Sequence, residues 1–311
     1  MGYKLAGFRV LGGVDIDPDM MALYRDNHRP QHSYLMGVAE FAAIPDADLP
    51  AVLFDLDLLD GSPPCSSFST AGARDKKWGK ASKFREGQAT QVLDDLFFHF
   101  IDVAAKLRPK VVVAENVKGL IIGKARGYVQ QIFRRFREAG YEPQLFLLNA
   151  AAMGVPQRRE RTFFIARRAD LALPKICLNF RGAEIPVKDA LRNVSANGAG
   201  ALTPETRALW EKIDLGRSLS DAHPRGSRFS EYKIDPGRSS LTVTSQSGTQ
   251  LMHWSEPRYF SGPEIVRLQS FPDDYRFGKE SPHYVCGMSV PPLMMKAVAQ
   301  EVRAQLLSGG D

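Results

Sequence analysis

Leu107-Arg108-Pro109-Lys110-Val111-Val112-Val113-Ala114-Glu115-Asn116-Val117 is the stretch on which the fold turns. Pro109 cannot continue a helix. The run Val111–Glu115 that follows is apolar up to its closing carboxylate, without alternation, which predicts a strand buried on both faces in a parallel sheet. Upstream, Gln88–Leu107 carries Val92, Leu96, Phe100, Val103 and Leu107 at helical spacing, with Asp94, Asp95 and Lys106 between them. Outward from this pair the same alternation recurs. Val10–Asp15 reads as a short strand, and Asp17-Pro18 open a helix running to Asn27. Leu56–Asp60 is a strand closed by the turn signal Gly61-Ser62-Pro63-Pro64. Tyr128–Ala139 is an amphipathic helix ended by Gly140, with strands at Gln144–Leu148 and Thr162–Ala166. Strands alternating with helices predict an α/β domain with a parallel sheet covered on both faces.

Past Leu171 the pattern dissolves into turn-rich stretches such as 193–198 and 235–240, and helix returns at Pro263–Leu268 and Pro291–Leu307. The expected division is a large α/β domain over 1–170, a smaller irregular one over 171–260, and a return segment, 261–311, completing the first. The 311 residues are 44% hydrophobic and 24% charged, which excludes a disordered or fibrous chain. A net charge of +6 leans toward an acidic partner such as nucleic acid. Cys65, Cys177 and Cys286 stand far apart, arguing against a disulfide framework or a zinc ribbon and for a reducing compartment. No metal-ligand cluster, membrane span or signal peptide is evident, so the sequence predicts a soluble cytoplasmic protein.

Four segments carry chemistry. Cys65 follows Pro63-Pro64 at a strand's carboxyl end, where open α/β sheets bind ligands, and small residues beside it leave the thiol accessible. It is a candidate nucleophile, against the bland reading of a small buried hydrophobe. Residues 74–86 hold six Lys/Arg (Arg74, Lys76, Lys77, Lys80, Lys83, Arg85) and two acids, with Trp78 and Phe84 interleaved. Phosphate contact beside the nucleophile is preferred over a solvated face. Glu115 leaves a buried strand and suits acid–base work or a helix cap. In Gln157-Arg158-Arg159-Glu160-Arg161, strand alternation would turn Arg159 and Arg161 to one side, suiting a carbonyl oxygen or phosphate.

In this order, Gly61–Ser69, Glu115-Asn116-Val117, Asn149–Arg161, Pro263–Tyr275 and Gly287–Pro292 resemble the DNA (cytosine-5) methyltransferases. The resemblance implies a Rossmann-like S-adenosylmethionine-dependent methyltransferase fold, with residues 171–260 as target-recognition domain. It implies double-stranded DNA as substrate, a cytosine flipped into the pocket, and S-adenosylmethionine as cofactor. By resemblance Cys65 attacks C6, Glu115 bonds N3 and the exocyclic amine, Arg161 holds O2, and Arg159 supports the pocket. Asp15, Ile16, Pro64, Leu96 and Val290 match cofactor positions, though Leu96 reads equally well as helix core. A monomer in a prokaryotic or phage-infected cytoplasm, with a restriction endonuclease acting separately, completes the expectation.

Three departures accompany it. No Phe-x-Gly-x-Gly-Gly loop is present, and Met1–Phe8 looks like the helix that should follow it, so a missing first strand and weak or absent cofactor binding are expected. Val38 stands where the family usually has aspartate, and Met288 where it has asparagine. The rival readings are an RNA cytosine-5 methyltransferase and a truncated, catalytically impaired DNA-binding paralogue. A cysteine hydrolase ranks last, because no histidine sits in a partner motif.

Overall fold

A computed structural model of the chain describes residues 1–63, 81–82, 91–92, 95–122, 126–245 and 250–308. Its strands are β1 (Gly12–Asp15), β2 (His32–Leu35), β3 (Leu58–Gly61), β4 (Ala81–Ser82), β5 (Gln91–Val92), β6 (Val111–Val117), β7 (Tyr141–Asn149), β8 (Glu160–Arg168), β9 (Glu231–Lys233) and β10 (Gln250–Met252). The helices are α1 (Gly2–Leu5), α2 (Pro18–His28), α3 (Val38–Ala43), α4 (Leu96–Leu107), α5 (Arg126–Glu138), α6 (Val187–Ala190), α7 (Pro204–Trp210), α8 (Gly262–Leu268), α9 (Pro282–Met288) and α10 (Pro292–Val302).

Local chemistry sets the boundaries. The Asp17 carboxylate accepts from the Asp19 and Met20 N–H groups at 2.9 and 3.3 Å and so caps α2, with Pro18 in the first turn. Arg108 closes α4 in the left-handed conformation (φ 44 to 50 is shared with Arg29 after α2), just ahead of Pro109. β6 is buried from Val111 through Asn116, as its unbroken apolar run predicts. The expected helix over 88–107 needs correction at its start. Helix begins at Leu96, and Gln91-Val92 instead pair antiparallel with Ala81-Ser82.

Contacts gather the chain into two units. Val10–Leu148, Glu160–Leu178 and Gln300–Asp311 form a sheet unit; Met1–Arg9, Asn149–Arg159 and Asn179–Ala299 form a loop-rich unit. Each unit is thus assembled from separate stretches of the chain.

The sheet unit contains a four-stranded sheet in the order β3-β6-β8-β7, with β1 and β2 forming a separate parallel pair among the described residues. β3 runs parallel to β6, but β8 runs antiparallel to it, in the register Val111↔Arg167 to Val117↔Arg161. The sheet is therefore mixed rather than parallel. β8 follows β7 through Ala150–Arg159, too short a connection for a helical crossover. The core joins Phe97, Phe100, Ile101 and Ala104 of α4 to Ile132 and Phe136 of α5, over Val112, Ala114, Phe164 and Ala166 of the sheet. An adjoining side of α4, through Val103 and Leu107, packs on Phe41, Leu49 and Leu53.

In the loop-rich unit one cluster centres on Val187, Ile234, Val243, Leu251, Ile265, Leu268 and Cys286. A second joins Leu202, Leu209, Trp210, Leu219 and Met252. Ser261 and Glu264 form a reciprocal capping box at the start of α8. Among the described residues, no helix is long and apolar enough to cross a membrane.

Candidate active site

The carboxyl end of β6 presents two consecutive polar residues to opposite faces of the sheet. Glu115 and Val117 share a face, and Arg161 stands opposite Val117, so Arg161 is the diagonal cross-strand neighbour of Glu115. Their side chains meet with Arg161 Nε 3.0 Å from Glu115 Oε1, at 15% and 10% exposure. Arg161 Nη1 also donates to the carbonyl of Glu160 at 2.8 Å. Burial draws the guanidinium below its ordinary pKa, while the facing Glu115 carboxylate pulls it back up. The pair thus presents a carboxylate edge and a guanidinium edge side by side at a strand end. That arrangement can donate to, and accept from, adjacent positions of a planar heterocycle.

Asn116 faces the other way and is buried. Its Nδ2 donates to the Pro63 carbonyl at 2.9 Å, its Oδ1 accepts from the Val117 N–H, and its own carbonyl accepts from Thr162 Oγ1 at 3.0 Å. Pro63 lies two residues before Cys65, so Asn116 fastens the approach to the candidate nucleophile onto β6. Nothing local to Asn116 in the sequence points to this role, because its partner Pro63 lies 53 residues upstream, just past the end of β3. Replacing Asn116 by alanine leaves the buried Pro63 carbonyl without its donor. We expect a loss of about 1–3 kcal/mol, read from denaturant midpoints; an unchanged midpoint would show that the bond carries nothing. Gly61 adds a second constraint on this approach, since a Cβ there would lie 2.3 Å from the Phe100 ring.

Arg159 and Arg161 do not act side by side. β8 begins at Glu160, so Arg159 precedes the strand and escapes its alternation. Its buried guanidinium donates from Nη1 to the Val243 carbonyl at 2.7 Å and from Nη2 to the Gly287 carbonyl at 2.8 Å. Gln157 completes the grip within the loop-rich unit. Its Oε1 accepts from the Val243 N–H at 3.0 Å, and its Nε2 donates to Gln269 Oε1 at 2.6 Å. Gln269 in turn donates to the Ser289 carbonyl at 2.9 Å. Gln157 and Gln269 went unnoticed in the sequence, where a buried amide looks like any loop glutamine.

Of the expected cofactor positions, Asp15 closes β1 and Ile16 follows it, half-buried. The Asp15 carboxylate accepts from the Asp17 N–H at 2.8 Å. Desolvation raises its pKa above the ordinary carboxylate value, opposed by that hydrogen bond. A carboxylate and an apolar side chain at the carboxyl end of a parallel strand fit a ribose and its base. Leu96 is the half-buried first residue of α4, and its next neighbour Phe97 is the true core residue. Val290 is half-buried and belongs to the loop-rich unit. Cys65, Pro64, Arg74, Lys76, Lys77, Lys80, Lys83 and Arg85 lie outside the described residues.

Against this geometry stand the known proteins that the chain resembles. A model of the C-5 cytosine-specific DNA methylase family matches residues 1–304. The chain is 31% identical to the Type II methyltransferase M.NgoPII of Neisseria gonorrhoeae, over 98% of its own length and 92% of that protein's. It is 29% identical to the Type II methyltransferase M1.HphI of Haemophilus parahaemolyticus, over 97% and 82%. Among solved structures, a DNA modification methyltransferase encoded within an Escherichia coli prophage superposes with a TM-score of 0.75 at 20% identity, covering 98% of this chain and 94% of that one. The Schizosaccharomyces pombe Dnmt2 methyltransferase superposes with a TM-score of 0.63 at 17% identity, over 98% and 93%.

Proposed function

Because the chain belongs to the C-5 cytosine-specific DNA methylase family, we propose that it methylates C5 of cytosine in duplex DNA through a covalent bond from Cys65 to C6. The observation that carries this reading is the Glu115–Arg161 pair at the end of β6, beside an Asn116 that holds the chain leading to Cys65.

The ring chemistry explains why these groups are needed. C5 of cytosine is a poor nucleophile until a bond at C6 breaks the aromaticity. The Cys65 thiolate forms that bond, and the displaced electron pair moves toward C5. Glu115 bonds N3 and the exocyclic amine, so that negative charge developing in the ring is met by a proton. Arg161 holds O2 with a fixed charge. Once C5 carries the methyl group, loss of its proton returns an electron pair to the ring and expels the thiolate. Arg159 acts at one remove, by fastening the carbonyls of Val243 and Gly287.

S-adenosylmethionine, when bound, supplies the electrophilic methyl group. Asp15 would take its ribose hydroxyls and Ile16 its adenine, with Pro64, Leu96 and Val290 completing the set. Arg74, Lys76, Lys77, Lys80, Lys83 and Arg85 would meet phosphates, and residues 171–260 would read base edges in the major groove. The reading includes a monomer in a bacterial or phage-infected cytoplasm. The Type II names of the relatives support a separately acting restriction endonuclease as partner.

The test is transfer of labelled methyl to unmethylated duplex DNA and, in parallel, to RNA, with a 5-fluorocytosine duplex as trap. Fluorine at C5 cannot leave as a proton does, so the Cys65 bond persists as a denaturant-resistant complex. We expect label at C5 of duplex DNA and a trapped complex, both lost in Cys65→Ser. Label on RNA alone, or no transfer with DNA binding retained, would falsify the proposal.

A further inference from the structure

Phe229 is 74% exposed, the most open large apolar side chain among the described residues. Single exposed hydrophobes are common on protein surfaces, but the turn that carries this one is built to hold it. Arg228 occupies the left-handed region at φ 67, which costs energy for a residue with a side chain. Every end of Arg228 is fastened. Its Nη1 donates to Thr206 Oγ1 at 2.9 Å and to Glu231 Oε1 at 3.2 Å, and its Nη2 lies 3.7 Å from Glu205. Its carbonyl accepts from Ser218 Oγ at 3.2 Å and from the Glu231 N–H at 3.1 Å.

Below the turn, a short ladder pairs the chain at 216–218 with 232–233. The Lys233 N–H donates to the Arg217 carbonyl at 3.0 Å, and the Gly216 N–H to the Lys233 carbonyl at 2.7 Å. The loop between the two sides bears Phe229 near one end, with exposed Arg225 in its middle and exposed Arg217 at its base. Arg217 is paired with Asp221 at 2.7 Å.

An exposed aromatic ring on a fastened turn, four residues from an exposed arginine, has the chemistry of a nucleic-acid contact. Guanidinium groups meet phosphates, and an apolar side chain enters or stacks on a base step. A protein partner would call for a wider contiguous apolar patch. We propose that Phe229 is a wedge residue that enters a base step of duplex DNA while Arg225 contacts a flanking phosphate. The assignment rests on the reading of the chain as a DNA methyltransferase and names a contact that the catalytic residues do not supply.

The experiment is a filter-binding titration of fragments of unmethylated plasmid DNA over a range of salt, using wild type, Phe229→Ala, Phe229→Trp and Arg225→Ala. We expect Phe229→Ala to bind roughly ten- to a hundredfold more weakly, with the salt slope unchanged because no charge is lost. Phe229→Trp restores binding. Arg225→Ala lowers the slope by about 0.9. All variants should melt with the wild type, since both side chains are exposed. Equal affinity of Phe229→Ala and wild type overturns the wedge. So does a wild-type dimer that Phe229→Ala converts to monomer, which would assign the ring to a second copy of this chain. Methyl transfer is scored separately. A wild type that binds DNA yet never transfers methyl sinks the enzymatic reading, while the binding ratio still decides the wedge.

Discussion

Glu115→Gln lowers methyl transfer by about 10²- to 10⁴-fold, the usual worth of a positioned acid–base group. The amide keeps the shape of the carboxylate and removes both its charge and its capacity to share a proton with N3. A second consequence falls on stability. Arg161 keeps its charge behind a side chain only 15% exposed, and its partner can no longer neutralise it. Breaking a buried ion pair from one side costs about 3–5 kcal/mol. The double variant Glu115→Gln/Arg161→Met removes the stranded charge, and so regains much of the stability while staying inactive. Denaturant unfolding measures the stability, and labelled methyl transfer at saturating DNA measures the activity. If the single and double variants lose the same stability, the two side chains are not coupled and the site is not the ion pair described.

Gly287→Ala is expected to destabilise the loop-rich unit by about 3 kcal/mol or more. A Cβ at this position would lie 2.1 Å from the Ser245 nitrogen and 2.2 Å from the Thr244 carbonyl carbon. Both obstacles are backbone, so no side-chain rotation relieves them. The end of α9 must shift, and the Gly287 carbonyl that accepts from Arg159 Nη2 shifts with it. The clash and the loss of a charge-assisted hydrogen bond therefore act together. Gly127→Ala is the control. A Cβ there meets nothing within 4 Å, and α5 gains a better helix former. Chemical denaturation of the two variants settles the comparison. A Gly287→Ala protein as stable as Gly127→Ala would mean that α9 and the 244–245 chain can separate freely.

How far these features were legible depends on whether their cause is local. β6 was legible because an apolar run after a helix-stopping proline admits few other structures. Glu115 and Arg161 stood out as charges at the ends of apolar runs. The direction of β8 was not legible. A strand buried on both faces reads the same in either direction, and only the short return from β7 sets it against β6. The start of α4 was misjudged because Val92 falls in phase with the helical stripe, yet pairs with Ala81. Asn116, Gln157 and Gln269 were missed for one reason. Each is defined by a partner far along the chain, namely Pro63, Val243 and Ser289. The crowding at Gly287 belongs to the same class, for the residue's own neighbours in sequence reveal nothing of Thr244.

The register Val117↔Arg161 also limits how this family member can change length. Side chains on a strand alternate, so gaining or losing one residue in the first part of β8 would turn every later side chain over. Glu160 or Thr162 would then stand beside Glu115, putting carboxylate against carboxylate or leaving the charge with a hydroxyl. Upstream, the 150–156 connection has no strand register to keep, but Ala150, Ala151, Met153 and Val155 are buried, so a residue added there has to displace packed neighbours. From Glu160, where β8 begins, a one-residue insertion or deletion is therefore costly whatever residue is gained or lost. Length there is as much a part of the chemistry as the residues themselves.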